Sequence, residues 1–290
     1  MIMLFRLRMS ADEAIRAYVT LAEHVFSSPK WGFQTRNGKF KATRLEDAIA
    51  TVIQKALNMD EEESRSVRML DEKAAKWYGL VHCYTPLLLI HLSFVCAMPA
   101  GNFSFPTLFR SWIPGANPAY NCTIVDAARA TSAAPAFFKA IEFGDPIKHV
   151  YVDGGLGCNN PVKYVIEESK SLFFNRPISC VISLGTGAAD VIRLDQHDAF
   201  QWLLPTNMIR ALKGIATDCE MRSEETARDA ETHSFLYCRL NVDQGLQGVS
   251  LAEWEKLTDV QVHTLQYLMK HDVGQKVDQL VQTLEGVLNS

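Results

Sequence analysis

Asp153 is the carboxylate in this sequence whose surroundings suggest chemistry. It closes the short β-prone run His149-Val150-Tyr151-Val152 and is followed directly by Gly154 and Gly155. A carboxylate at the end of a strand, beside glycines, sits where open α/β sheets place their reactive groups. Glycines there let the backbone turn sharply and come close to a ligand. Asp-Gly is also the commonest hairpin signal, so the triplet alone reads as a plain turn. The residues immediately downstream tilt the reading. Asn160-Pro161 marks a helix start, with Asn as cap and Pro in the first turn. Val162, Val165 and Ile166 then lie on one face of that helix. Strand, glycine turn and helix make a crossover rather than a hairpin.

The elements that must position Asp153 begin upstream. Thr123 and Asp126 have capping-box spacing and predict a helix start. Pro135 and the small residues before it predict its end. Residues 178–184 predict the next strand, buried on both faces because its alternation is weak.

Three groups of residues in this region carry a family resemblance. Ala128-Arg129-Ala130-Thr131-Ser132-Ala133-Ala134-Pro135, then Val152-Asp153-Gly154-Gly155 with Asn159-Asn160-Pro161, then Ile182-Ser183-Leu184-Gly185-Thr186-Gly187 occur in that order. Together they resemble the second half of a patatin-like phospholipase domain, most closely of the fungal type, over most of residues 1–242. The resemblance implies an α/β, three-layer fold with a mainly parallel sheet between helices, and residues 243–290 as a helical C-terminal extension. It implies hydrolysis of acyl esters of phospholipids or other lipids by a serine nucleophile and an aspartate base, with no cofactor and no metal. Asp153 matches the base, and Gly154 and Gly155 complete its motif.

The remaining parts of such a site are not found. A serine hydroxyl is a poor nucleophile until a neighbouring base takes its proton. The hydroxyl is presented on a sharp turn of Gly-x-Ser-x-Gly type, beside backbone amides that stabilise the oxyanion. No Gly-x-Ser-x-Gly occurs in the 290 residues. Ser132 lies in a capped helical region, Ser183 lies inside a strand, and Ser104 sits between Phe103 and Phe105. Residues 2–10 resemble the end of the family's nucleophile helix, so the serine is expected about two helical turns before Met1. The first strand and the nucleophile elbow are therefore expected to be missing, and the chain to be inactive on its own. The competing expectation is a non-catalytic module that contacts a lipid surface or a protein.

Composition narrows the classes. Hydrophobic residues at 48% and charged residues at 21% are those of a globular chain. A net charge of −4 gives no reason to expect nucleic acid as a partner. Seven scattered cysteines, without a Cys-x-x-Cys pair, predict reduced thiols in the cytosol. Arg6 and Arg8 interrupt the apolar start, so it does not read as a signal peptide. Gly155-Leu156-Gly157 lacks the third glycine of a dinucleotide-binding turn, which argues against a nucleotide.

Elsewhere the pattern is mostly helical. Ser10 and Glu13 form a second capping box, and Ile15, Tyr18, Val19, Ala22, Val25 and Phe26 recur at helical spacing to about residue 28. Thr43 and Glu46 open another helix, with Leu45, Ile49, Val52 and Ile53 inward. Residues 60–68 read as a charged, solvated segment. Residues 77–109 contain no Asp, Glu, Lys or Arg. Their most apolar part, 84–98, falls short of the roughly 20 residues of a membrane span. It reads as a buried strand, with peripheral membrane contact as the sharper alternative and 84–93 as an insert. Residues 195–213 and 215–233 read as helices, 235–242 as a half-exposed strand, and 251–288 as helical.

Overall fold

The computed structural model describes residues 1–30, 38–70, 92–101, 104–115, 119–187, 206–247, 249–250 and 252–288. The expected insert at 84–93 and the expected helix at 195–213 therefore fall largely outside the described residues. The chain divides into two compact units, Met1–Cys158 and Asn159–Ser290.

In the first unit a short helical turn, Ile2–Arg6, leads into α1 (Ala11–Phe26). The Ser10–Glu13 box closes in both directions. Along α1 only Ala22 and Val25 are buried, whereas Ile15, Tyr18 and Val19 face outward. Helix α2 (Ala42–Leu57) starts one residue before Thr43 and has no side-chain cap. Its Leu45, Ile49, Val52 and Ile53 are buried as the spacing predicts. The acidic run after it is not merely a solvated segment. Asp60 accepts from the backbone N–H of Glu63 and starts α3 (Glu61–Ser66), with three glutamates in the positive first turn.

The sheet of this unit contains β1 (Phe94–Pro99), β2 (Thr107–Arg110), β3 (Ile141–Phe143) and β4 (His149–Asp153), in the order β2-β1-β4-β3. Every pairing is antiparallel. This corrects the expected mainly parallel sheet, and the connections explain the difference. A parallel neighbour needs a crossover of roughly a dozen residues or more. Only residues 144–148 join β3 to β4, and only 100–106 join β1 to β2. Gly144 makes the first of these bends possible. Its φ is +137°, and a Cβ there would run into the carbonyl oxygen of Ile147.

Helix α4 (Ile124–Thr131) packs on β1, β3 and β4; α2 packs on α4, and α1 on α2. The Thr123–Asp126 box forms as expected. Ile124, Ala127 and Ala130 are wholly buried, and the two alanines let the helix lie close to the sheet. Arg129 is buried with them. Its Nε donates to Glu46 at 3.1 Å, its Nη2 donates to the Lys139 carbonyl at 3.1 Å, and its guanidinium lies over the Phe138 ring.

In the second unit α6 (Val162–Leu172) and α7 (Thr206–His233) pack together, and α7 also packs on β6 (Leu236–Leu240). Strand β5 (Cys180–Leu184) runs parallel to β6. Here the long intervening helix supplies the crossover. The strand is not buried on both faces as expected: Val181 and Ser183 are buried, while Ile182 and Leu184 are exposed. Val162, Val181, Ala230 and Phe235 form the core of this side. A 3-10 turn (Trp254–Lys256) precedes α8 (Leu257–Leu268) and α9 (His271–Leu288), the latter packing on both strands.

The Asn159-Asn160-Pro161 motif begins this unit. Asn160 is buried; it accepts from the Val162 N–H at 3.3 Å and donates to the Cys219 carbonyl at 3.2 Å. The N-cap position falls on Pro161 rather than on Asn160 as expected, so Asn160→Ala removes a bond to the first N–H of α6 and a tie to α7 together. An unfolding free energy lower by about 1–2 kcal/mol is expected in urea titration.

Candidate active site

Asp153 is the last residue of β4, in register with the wholly buried Ala97 of β1. Two residues earlier, Tyr151 packs against Phe109 and Phe143, which fixes the strand on the core. The Asp153 N–H donates to the Ala133 carbonyl at 3.1 Å. The small-residue exit of α4 is thereby stitched to the strand end. On the side chain, Oδ1 accepts from the Gly155 N–H at 2.6 Å. The carboxylate is thus aimed by its own following turn.

The two glycines do different work. The Gly154 Cα lies against the Cys96 carbonyl, and a Cβ would collide with that oxygen and reach its carbon at 2.9 Å. Gly155 supplies the N–H that holds Asp153 and opens the single-turn α5 (Gly155–Cys158). The Cys158 N–H closes back on the Gly154 carbonyl at 2.7 Å, and its Sγ rests 3.2 Å from Cys96 Sγ. Gly154→Ala must push β1 and the turn apart. A loss of about 1–3 kcal/mol in chemical denaturation is expected, since the obstacle is backbone rather than a flexible side-chain tip.

Burial raises the Asp153 carboxyl to about 6, against the weaker lowering effect of the Gly155 N–H. A carboxylate of that basicity is roughly nine-tenths ionised at pH 7 yet accepts protons far better than a solvated aspartate. Its basicity and its fixed orientation are what proton transfer to a neighbouring hydroxyl would require.

Among the described residues, no serine hydroxyl is hydrogen-bonded to it. Ser132 caps the C-terminal end of α4, next to the Ala133 whose carbonyl receives the Asp153 N–H. Ser183, in the second unit, is buried on β5 and accepts from Arg239. Neither has the flanking glycines of an elbow. Among the described residues no three His, Cys, Asp or Glu side chains gather as a metal site. No helix of the described residues is long and apolar enough to cross a membrane. Sequence reading did not single out Cys96 and Cys158.

A half-buried carboxylate on a strand-to-helix turn, in an α/β setting, is an arrangement shared by many folds. The comparisons narrow it. A family model described as patatin-like phospholipase matches residues 3–166. The chain is 31% identical over 179 residues to mouse calcium-independent phospholipase A2-gamma, covering 58% of this chain and 22% of that protein. The human protein of the same name matches with the same figures. Patatin-like protein 3 of Arabidopsis thaliana is 35% identical over 101 residues, covering 29% of this chain and 24% of that protein. The chain belongs to the patatin-like phospholipase family. The matched stretch spans about a fifth of the length of the phospholipase relatives.

Proposed function

We propose that this chain carries the base half of a lipid acyl hydrolase, with Asp153 as proton acceptor for a serine that is not among the 290 residues. The observation that supports it most is the Asp153 carboxylate itself. It is half-buried, raised to about 6, and oriented by the Gly155 N–H inside the segment that matches the family. The substrate is a phospholipid or another acyl lipid, approached from a membrane surface by peripheral contact. The cytosol is the compartment, as the scattered cysteines suggest. The patatin-like domain runs over residues 1–242, and 243–290 form its helical extension. The first strand, the glycine-rich oxyanion loop and the nucleophile elbow come from sequence outside this chain.

In the catalytic cycle so read, Asp153 takes the proton of the serine hydroxyl as its oxygen attacks the ester carbonyl. It returns that proton to the departing alcohol. A second round with water releases the fatty acid and restores the serine. A base already near neutrality serves both directions of transfer.

The coding sequence upstream of the Met1 codon tests the reading. An in-frame extension encoding a glycine-rich loop and Gly-x-Ser-x-Gly is expected to give a protein that hydrolyses phospholipid esters. That activity should be lost on replacing either the new serine or Asp153 by alanine. Hydrolysis that survives Asp153→Ala, or a frame encoding neither element, overturns it.

A further inference from the structure

The face of the β5–β6 pair that carries Val181 changes character along its length. Val181 pairs in register with Tyr237, and Ser183 with Arg239. At the first position the surroundings are apolar, where Val181 joins Val162, Ala230 and Phe235. Tyr237 adds a hydroxyl, bonded to Ser223 at 3.0 Å. One step further along the strands the face becomes cationic. Arg239 Nη1 donates to Ser183 Oγ at 2.9 Å. Beyond it lie Gly185 and Asn241.

Arg239 is under-used by the fold. Its Nε is buried and has no hydrogen-bond partner. Among the described residues no carboxylate pairs with the guanidinium. A buried N–H without an acceptor is costly, and a native structure that keeps one calls for an explanation. The neighbourhood offers one. A Cβ at Gly185 would come within 3.0 Å of Arg239 Nη2 and would collide with the Asn241 side chain, so both side chains converge on that glycine. Asn241 Oδ1 already accepts from the Gly187 N–H at 2.9 Å, which leaves its NH2 group as a donor. These groups stand at the carboxyl ends of two parallel strands, where α/β sheets bind ligands.

We propose that Arg239, with Ser183 and Asn241, forms a site for a phosphate-type oxyanion. The ligand is inorganic phosphate or a phosphate ester. The guanidinium presents Nη2 at the Gly185 end, the hydroxyl and the amide complete the donors, and the charge meets no competing carboxylate among the described residues. This site lies outside the chemistry assigned to Asp153 and stands or falls separately from it.

The experiment is calorimetric titration of the whole 290-residue chain with inorganic phosphate, ionic strength being held with sodium chloride. Saturable binding is expected. Arg239→Gln should weaken it about tenfold or more, the worth of one charge-assisted hydrogen bond. Arg239→Lys, which keeps the charge but loses the planar guanidinium that bonds Ser183 and reaches Gly185, should fall between them and covers the case in which Arg239→Gln does not fold. Vesicles separate the sources. Binding to phosphatidic acid but not to phosphatidylcholine vesicles, displaced by inorganic phosphate, assigns a lipid headgroup. Phosphate binding without vesicle binding assigns a soluble phosphate. Absence of saturable binding overturns the proposal. So does binding that is unchanged in folded Arg239→Gln, or as tight in Arg239→Lys as in the parent.

Discussion

Incubated with a phospholipid or a p-nitrophenyl ester, the purified 290-residue chain is expected to show no turnover that depends on Asp153. A base accelerates acyl transfer only by acting on a nucleophile held beside it. Removing the nucleophile of such a pair typically costs on the order of 10⁶ in kcat, about as much as removing the whole constellation. Missing oxyanion donors cost about another hundredfold. In the proposed reading, the improved basicity of Asp153 then has no hydroxyl to act on. Water is the remaining candidate, and hydrolysis by a lone carboxylate would fall below a normal assay background. The measurement is steady-state release of fatty acid or nitrophenolate, with Asp153→Ala as the paired control. Turnover present in the parent and lost in that variant would mean that a hydroxyl within these residues serves Asp153 after all, and the proposed division of the site would be wrong.

How much of this was legible in the sequence depends on the length scale involved. The local signals were sufficient where a side chain meets its own backbone. The Thr123 and Ser10 boxes and the helix after Asn160 all arise from contacts within a few residues. They miss where the answer depends on a partner far along the chain. Strand direction is the clearest case. Nothing in five residues such as His149–Asp153 encodes whether a neighbour runs with or against them; a short connection, such as 144–148, forces the antiparallel choice, and a long one leaves it to the rest of the fold. Burial is the second. Ile15, Tyr18 and Val19 have the spacing of a helix, which is what formed, but that spacing does not say which stripe is covered. Likewise Ile182 and Leu184 are apolar yet exposed, since β5 buries its other face. At the candidate site the carboxylate and its glycines were legible as a motif. The Cys96 carbonyl under Gly154 was not, because that contact spans residues distant in sequence.

Asp153→Asn is expected to make the chain more stable at neutral pH, and the size of the gain should report the basicity of the native carboxyl. The sign is set by where the proton is held more tightly. Burial raises the folded-state value to about 6 from 3.8, so the folded protein binds this proton better than the unfolded chain does. Below about pH 4 both states are protonated and the site carries no charge penalty. Between about pH 4 and 6 the unfolded chain gives up its proton first, and stability falls as pH rises. Above 6 the cost levels off, at about 3 kcal/mol for a shift of roughly two units. Asparagine carries no charge to desolvate, and its amide oxygen can still accept from the Gly155 N–H. Urea unfolding of parent and variant at pH 4.5, 6 and 7.5 should therefore show a gap that opens with pH, to about 3 kcal/mol at the top of the range. Other titrating groups are common to both chains and cancel in the difference. A gap of constant size, or one that closes as pH rises, would mean that the carboxyl is not held above its ordinary value. The basicity that suits Asp153 for proton transfer would then be absent. If the gap opens as expected, the fold maintains a destabilising charge at the end of β4 that a neutral isostere would relieve. Such a cost fits the proposed role of Asp153, in which the proton itself is used.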